Sequence, residues 1–115
     1  MVRRDFKIVL DEIVDTIDEI TKALEGKSFE VFSSDWLLRH AVQRGIEIIS
    51  EAARHLPEDL SSSEPDIPWK QIRGVGNVLR HEYHRVSDRI IWNVVQNELP
   101  SLREATLRIA RRDIS

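Results

Sequence analysis

The feature that most constrains the fold is an apolar stripe that recurs every three or four residues through most of the chain. One face of an α-helix has this spacing, whereas a half-buried strand alternates every second residue. The first stripe runs from about Asp5 to Leu24, just before Gly26. The second begins after Ser33-Ser34-Asp35, where a hydroxyl or a carboxylate can cap the helix, and it ends at Pro57. The residues of these two stripes are Phe6, Leu10, Ile13, Ile17, Ile20 and Leu24, then Leu38, Val42, Ile46, Ile49, Ala53 and Leu56.

Two further helices are expected after a polar loop at residues 58–66. Pro68 suits the first turn of the third helix, because that turn leaves its N–H groups unbonded and proline has none. Ser87 or Asp88 can cap the fourth helix, which Pro100 should kink. The fourth stripe comprises Ile91, Val95, Leu99, Leu102 and Ile109. Short connections between long amphipathic helices predict an all-α antiparallel bundle, in which three side chains should anchor the core: Trp36, Trp69 and Trp92.

Length and composition fit one globular domain spanning residues 1–115. The charged fraction is 32%, the apolar fraction is 41% and cysteine is absent. The absence of cysteine excludes disulfides and thiolate metal sites. No run approaches the roughly 18 apolar residues needed to span a membrane, and the N-terminus lacks the apolar segment of a signal peptide. A cytoplasmic protein is therefore expected.

Chemistry-bearing side chains gather on one face of the third helix. At about 100° per residue, Trp69, Ile72, Val75 and Leu79 should face the core. The opposite face then carries Arg73, Asn77, Arg80, His81 and His84. Imidazole can exchange a proton near neutral pH, guanidinium can stabilise charge on a phosphorane, and an amide can orient a hydroxyl. This mixture suits phosphodiester chemistry. The alternative is a solvated helix face with two incidental histidines.

Two other features of the central region invite explanation. Gly74 and Gly76 lie inside the predicted third helix, where each glycine costs roughly 1 kcal/mol relative to alanine. Such a cost indicates close approach of another helix or of a ligand. Glu47 and Glu51 lie one turn apart on the second helix, and they either form surface ion pairs or serve acid–base or metal chemistry. No metal-ligand spacing such as His-Glu-x-x-His is present, so neither a metal site nor a cofactor is expected.

The combined motifs resemble the HepT-like branch of the HEPN superfamily. The resemblance rests on Asn77-x-Leu79-x-His81-x-Tyr83, followed by Asp88, Trp92 and Leu99-Pro100-x-Leu102. It also includes Arg44-x-x-Glu47-Ile-Ile-x-Glu51-Ala52 and Pro68-Trp69. It covers nearly the whole chain.

The resemblance implies a four- to five-helix bundle that forms homodimers. It further implies metal-independent RNA cleavage by a toxin that is paired with a nucleotidyltransferase antitoxin of the MntA type. His81 would then be the acid–base residue and Asn77 its polar helper, with Arg73 and Arg80 completing the catalytic set. Tyr83 would be the residue that the antitoxin adenylylates. Contacts to RNA are expected from Arg80, His84 and Arg85.

One position departs from the family pattern. The arginine that normally precedes the asparagine is Gly76 here. Either Arg73 or Arg80 replaces the missing guanidinium, or a second subunit supplies one. Otherwise the chain is a weak or inactive ribonuclease, that is, a helical module that binds RNA, a nucleotide or a nucleotidyltransferase.

Overall fold

The computed structural model describes residues 6–82, 84 and 86–113, and helices account for most of them. A π-helical turn, Val94–Glu98, joins the last two helices. The helices are α1 (Lys7–Leu24), α2 (Phe29–Ser34), α3 (Trp36–Arg54), α4 (Glu58–Ser62), α5 (Trp69–Glu82), α6 (Asp88–Asn93) and α7 (Leu99–Asp113). No strand occurs in this part of the chain, and none of its helices is both long and apolar enough to cross a membrane. The predicted all-α class is confirmed.

Helix α3 lies at the centre of the bundle, between α1 and α5, while α7 packs against α1. The residue numbers of contacting pairs rise along α3 and fall along α5, since Ser50 contacts Gly76 and Arg54 contacts Arg73. The two helices are therefore antiparallel. Most residues of the predicted apolar stripes are buried in one core, and the others are partly buried against it: Phe6, Leu38, Ile72 and Val75. Burial of these stripes is the main force that holds the bundle together.

The helix ends follow the local chemistry of the sequence. Gly26 adopts a φ of 74° just after α1, a left-handed conformation that favours glycine. Asp35 caps α3 by accepting a hydrogen bond of 2.9 Å from the Leu38 N–H. Ser87 caps α6 in the same way, through the Ile90 N–H at 3.2 Å. Pro68 immediately precedes α5 rather than lying in its first turn, and its carbonyl accepts the first helical bond.

A π-helical turn immediately precedes α7, in which Pro100 is the second residue. The Leu99 N–H donates to the carbonyl of Val94, five residues earlier. Widening the turn in this way accommodates a residue that has no N–H and whose ring would collide with the carbonyl four residues before it. The helical path from α6 into α7 therefore continues through the proline.

The segment predicted as a polar loop is largely structured. It contains α4, and Leu60 is fully buried beneath it. Glu64 is also buried, and its carboxylate accepts hydrogen bonds from Arg108, the closest at 2.7 Å, and from Arg112 at 2.9 Å. The hydrogen bonds from Arg108 are the main cause of a lowered pKa at Glu64, and Arg112 adds to the effect while burial opposes it. This cluster ties α7 to the segment before α5.

The prediction for the three tryptophans is right for one, partly right for another and wrong for the third. Trp69 is buried, and its indole N–H donates to the Glu64 carbonyl. Trp92 is half-buried against Phe32, with ring centroids 5.6 Å apart. Trp36 is 63% exposed. It begins α3, and the apolar periodicity of a sequence cannot show where the neighbouring helices stop.

Candidate active site

The side of α5 that faces α3, which we call the inner edge, is hydrogen-bonded to Ser50 of α3. The Gly76 N–H donates to Ser50 Oγ at 3.1 Å, and Ser50 Oγ donates to the Arg73 carbonyl at 3.0 Å. A Cβ at Gly76 would lie 2.7 Å from Ser50 Oγ and 2.8 Å from Ser50 Cβ. The predicted close approach of another helix is confirmed at Gly76, and an arginine here would require the two helices to rearrange.

Gly74 differs from Gly76 in its surroundings. A Cβ at Gly74 would meet no atom within 4 Å among the described residues. Close approach of a neighbouring helix therefore does not explain this glycine, and the structure offers no packing reason for it.

Arg73 lies one turn before Asn77 on the same side of α5, but the short helix α4 covers the helix at this level. Its side chain is half-buried, and its Nη2 donates to Ser61 Oγ of α4 at 3.0 Å. Its carbonyl accepts a second hydrogen bond, from Arg54 Nε at 3.0 Å. Arg73 therefore does not join the exposed residues of the predicted polar face, because α4 lies over it. Both its side chain and its backbone serve the packing of α5.

The reactive turn, as we call it, consists of three residues near the end of α5: Asn77, Arg80 and His81. All three are exposed and lie on an unbroken helix, so Asn77 faces Arg80 and His81 across one turn, about 5–6 Å between Cβ atoms. Within residues 6–82, 84 and 86–113, their side chains make no hydrogen bond or ion pair. They are therefore open to a ligand from solvent.

The remaining predicted residues follow the end of α5. His84 is exposed. Tyr83 and Arg85 lie outside the described residues. Ser50, Ser61 and Arg54, which position this stretch of α5, were not anticipated from the sequence. A signal existed for Ser50, since it interrupts the apolar spacing on the buried side of α3.

The carboxylates of α3 form ion pairs, as one of the two sequence interpretations proposed. Arg44 Nη1 lies 3.2 Å from Glu47, and Arg54 Nη1 lies 3.8 Å from Glu51. Among the residues that the structure describes, no three acidic or histidine side chains cluster closely enough to hold a metal ion.

The family model described as Ribonuclease HepT-like matches residues 13–109. The chain belongs to this family. That span contains α3, α5 and the whole reactive turn, so the family pattern and the site lie in the same part of the fold.

Similar proteins carry ribonuclease names. A protein of Caldanaerobacter subterraneus subsp. tengcongensis, named "Putative RNase", is 35% identical over 90% of this chain and 93% of its own length. The "Probable ribonuclease HepT" of Thermococcus cleftensis is 34% identical over 88% of this chain and 92% of its own. A "Putative RNase" of Methanocaldococcus jannaschii is 29% identical over 90% and 95%. No solved structure matches the chain.

Proposed function

We propose that this protein is an RNA endonuclease whose active site is the reactive turn of α5. The observation that carries the proposal is the exposure of an imidazole, a guanidinium and an amide on one turn of an unbroken helix. Family membership and the names of the similar proteins support the same activity.

The chemistry of the three groups suits transfer of a phosphodiester to the adjacent ribose hydroxyl. Neutral His81 accepts the proton of the 2′-hydroxyl as its oxygen bonds to phosphorus. The bond from phosphorus to the 5′-oxygen breaks, and the proton passes to that leaving oxygen. The products are a 2′,3′-cyclic phosphate and a 5′-hydroxyl. Only groups of the chain and the substrate take part, so the proposed reaction is metal-independent.

Arg80 is the better candidate for the guanidinium that stabilises the phosphorane. Arg73 donates to Ser61 and lies half-buried, whereas Arg80 is exposed and has no partner among the described residues. A donor can act on the developing charge only if it reaches the reacting phosphate. Asn77, one turn before His81, would orient the imidazole or the attacking hydroxyl. Arg80, His84 and Arg85 would also contact the RNA backbone.

Replacing His81 by alanine tests this function. Loss of a general acid–base group lowers the rate by about 10²- to 10⁴-fold, so His81→Ala should lose cleavage of single-stranded RNA by at least about 100-fold. The matched control is His55→Ala, an exposed histidine of the α3 C-terminus, which should cleave normally. Mass spectrometry of the fragments should find cyclic phosphate ends. Equal cleavage by the wild type and His81→Ala would refute the assignment.

The second candidate function is RNA or nucleotide binding without cleavage. Gly76 favours it, because the Cβ of the arginine that the family pattern has at this position would collide with Ser50. This alternative predicts that purified protein binds single-stranded RNA and leaves it intact. Turnover that depends on His81 would exclude it.

The biological setting that we propose is a cytoplasmic toxin–antitoxin pair. The sequence motif around His81 supports it, and it includes a homodimeric toxin and an MntA-like nucleotidyltransferase that adenylylates Tyr83. Incubation with ATP and such a transferase, if its gene lies beside this one, should add one AMP to the chain. Tyr83→Phe should abolish this mass increase, and modification elsewhere would contradict the proposed target.

A further inference from the structure

The first turn of α3 carries an exposed aromatic stack. The indole of Trp36 lies over the imidazole of His40, with ring centroids 4.1 Å apart and planes inclined by 33°. His40 Nδ1 donates to the Trp36 carbonyl at 2.7 Å, which holds the imidazole in place. Trp36 remains 63% exposed, so the other face of its indole is open. A supported indole with one open face is a surface on which a flat ring can stack.

The same turn carries a guanidinium with unused donors. Arg39 is three residues from Trp36, and only 28% of its side chain is exposed. Its Nε is buried and has no hydrogen-bond partner within the described part of the chain. The paired carboxylate is Asp88, whose Oδ1 lies 3.8 Å from Nη1, beyond hydrogen-bond distance. Because Nε is buried, an incoming anion would contact this guanidinium at its terminal nitrogens, and phosphate matches their planar geometry.

This turn lies at the same end of the bundle as the reactive turn. The α3 stripe that contacts α5 includes Arg54, Ser50 and Glu47. Steps of four and three residues continue that stripe to Gln43, His40 and Trp36. Because the helices are antiparallel and α5 ends at Glu82, the stripe extends past the end of α5. The pairing of Arg39 with Asp88 places this turn beside the start of α6.

We propose that Trp36, backed by His40, and Arg39 form a nucleotide subsite for single-stranded RNA beside the reactive turn. An unpaired base stacks on the open face of Trp36, and Arg39 binds the phosphate of that nucleotide. Bases inside a duplex are already stacked and cannot reach the indole, so the subsite selects unpaired RNA. This inference rests on the proposed ribonuclease function and adds the class of substrate to it.

RNA binding by the full chain carrying His81→Ala tests the subsite without interference from cleavage. The probe is a short, fluorescently labelled single-stranded oligoribonucleotide, and its anisotropy reports the Kd. Stacking of one base on an aromatic side chain corresponds to an affinity ratio between about 5-fold and 150-fold. Adding Trp36→Ala should weaken binding within this range, whereas Trp36→Phe should retain most of the affinity. Annealing the probe to its complement should remove the effect.

Leu37→Ala is the matched control, because Leu37 is the adjacent residue, is 70% exposed and cannot stack on a base. It should leave the Kd unchanged. Arg39→Gln should weaken binding and reduce its dependence on salt concentration, since one phosphate contact is lost. Sedimentation equilibrium of every variant should give the wild-type mass.

Three results would overturn the subsite. The first is absence of RNA binding, or a Kd that does not change in Trp36→Ala. The second is an equal loss in Leu37→Ala. The third is a changed sedimentation mass in Trp36→Ala, which would make this surface a contact between copies of the chain.

Cleavage by the wild type distinguishes the two proposals. Cleavage with an unchanged Kd in Trp36→Ala removes the subsite alone, and binding that depends on Trp36 without cleavage removes the nuclease alone.

Discussion

The inner edge of α5 at Gly76 and the reactive turn are adjacent in sequence, but they differ in how much space they leave for a side chain. At the inner edge, Gly76 fits against Ser50 with no space for a Cβ. In the reactive turn, the side chains of Asn77, Arg80 and His81 are exposed to solvent. Packing against α3 therefore restricts the residue at position 76, whereas the reactive turn remains accessible to a ligand. The position that carries an arginine in the family pattern lies on the inner edge, where a Cβ would meet Ser50.

The largest expected effect separates the two arginines that could replace it. Arg80→Ala should lower kcat/KM for RNA cleavage by about 100-fold, as loss of a charge-stabilising donor does, while thermal unfolding stays unchanged. Arg73→Ala should do the reverse, because its guanidinium bonds to Ser61. It should cost about 0.5–1.5 kcal/mol of unfolding free energy and leave most of the activity. If Arg73→Ala lost the activity and Arg80→Ala did not, the catalytic guanidinium would be assigned to Arg73.

The next effect tests how tightly the inner edge is packed. Gly76→Ala should lower the free energy of unfolding by about 1–3 kcal/mol, as overpacking does. The new methyl group would displace Ser50 Oγ from its bonds to the Gly76 N–H and the Arg73 carbonyl. Urea denaturation measures the loss.

Ser50→Gly provides the control for this packing. It removes the atoms that a Cβ at Gly76 would meet, so Gly76→Ala should be less harmful in that background than in the wild type. A double-mutant cycle gives the coupling energy. Additive losses would show that the two positions do not compete for one space.

A smaller effect is expected at the cluster of Glu64, Arg108 and Arg112, which joins α7 to the segment before α5. Glu64→Gln should lower the unfolding free energy by about 1–2 kcal/mol at pH 7, because charge-assisted bonds from Arg108 and Arg112 are lost. The pKa of Glu64 is lowered in the folded state from its ordinary value of 4.5. Its contribution is therefore complete above about pH 4.5 and is lost as the pH falls through the folded pKa. A difference between variant and wild type that persisted in strong acid would contradict this.

The smallest expected effect is a gain in stability. Gly74→Ala should raise the free energy of unfolding by about 0.5–1 kcal/mol, because the position is helical and a Cβ there meets no neighbour. Gly76→Ala is its matched opposite, two residues away on the same helix. If Gly74→Ala preserves stability but weakens RNA binding, the open backbone at Gly74 takes part in the site.

The sequence predicted those parts of the fold that depend on local chemistry. Four apolar stripes, the left-handed Gly26, and the caps at Asp35 and Ser87 all follow from side chains near each other in the chain. Short α2 and α4 were missed, because six and five residues are too few to display a helical period. The burial of Leu60 and Glu64 depends on α7, which lies far along the sequence.

The candidate site could be predicted in type and in place but not in detail. The spacing of Asn77 and His81 follows from helix geometry alone. That Arg73 would turn towards Ser61 depends on α4, and the exposure of Trp36 depends on where α5 ends. Neither fact is present in the periodicity of the helix that carries the residue. The catalytic assignment itself stays a prediction.

The contact between Ser50 and Gly76 also has a consequence for how this lineage can diverge. Because one small volume is shared between two side-chain positions, neither residue can be replaced by a larger one independently. Relatives with arginine at the position of Gly76 should have lost the side chain at the position of Ser50. Aligned homologues should therefore fall into two groups with few intermediates, serine with glycine and glycine with arginine, and a shift between groups would relocate the guanidinium of the site in a single evolutionary transition.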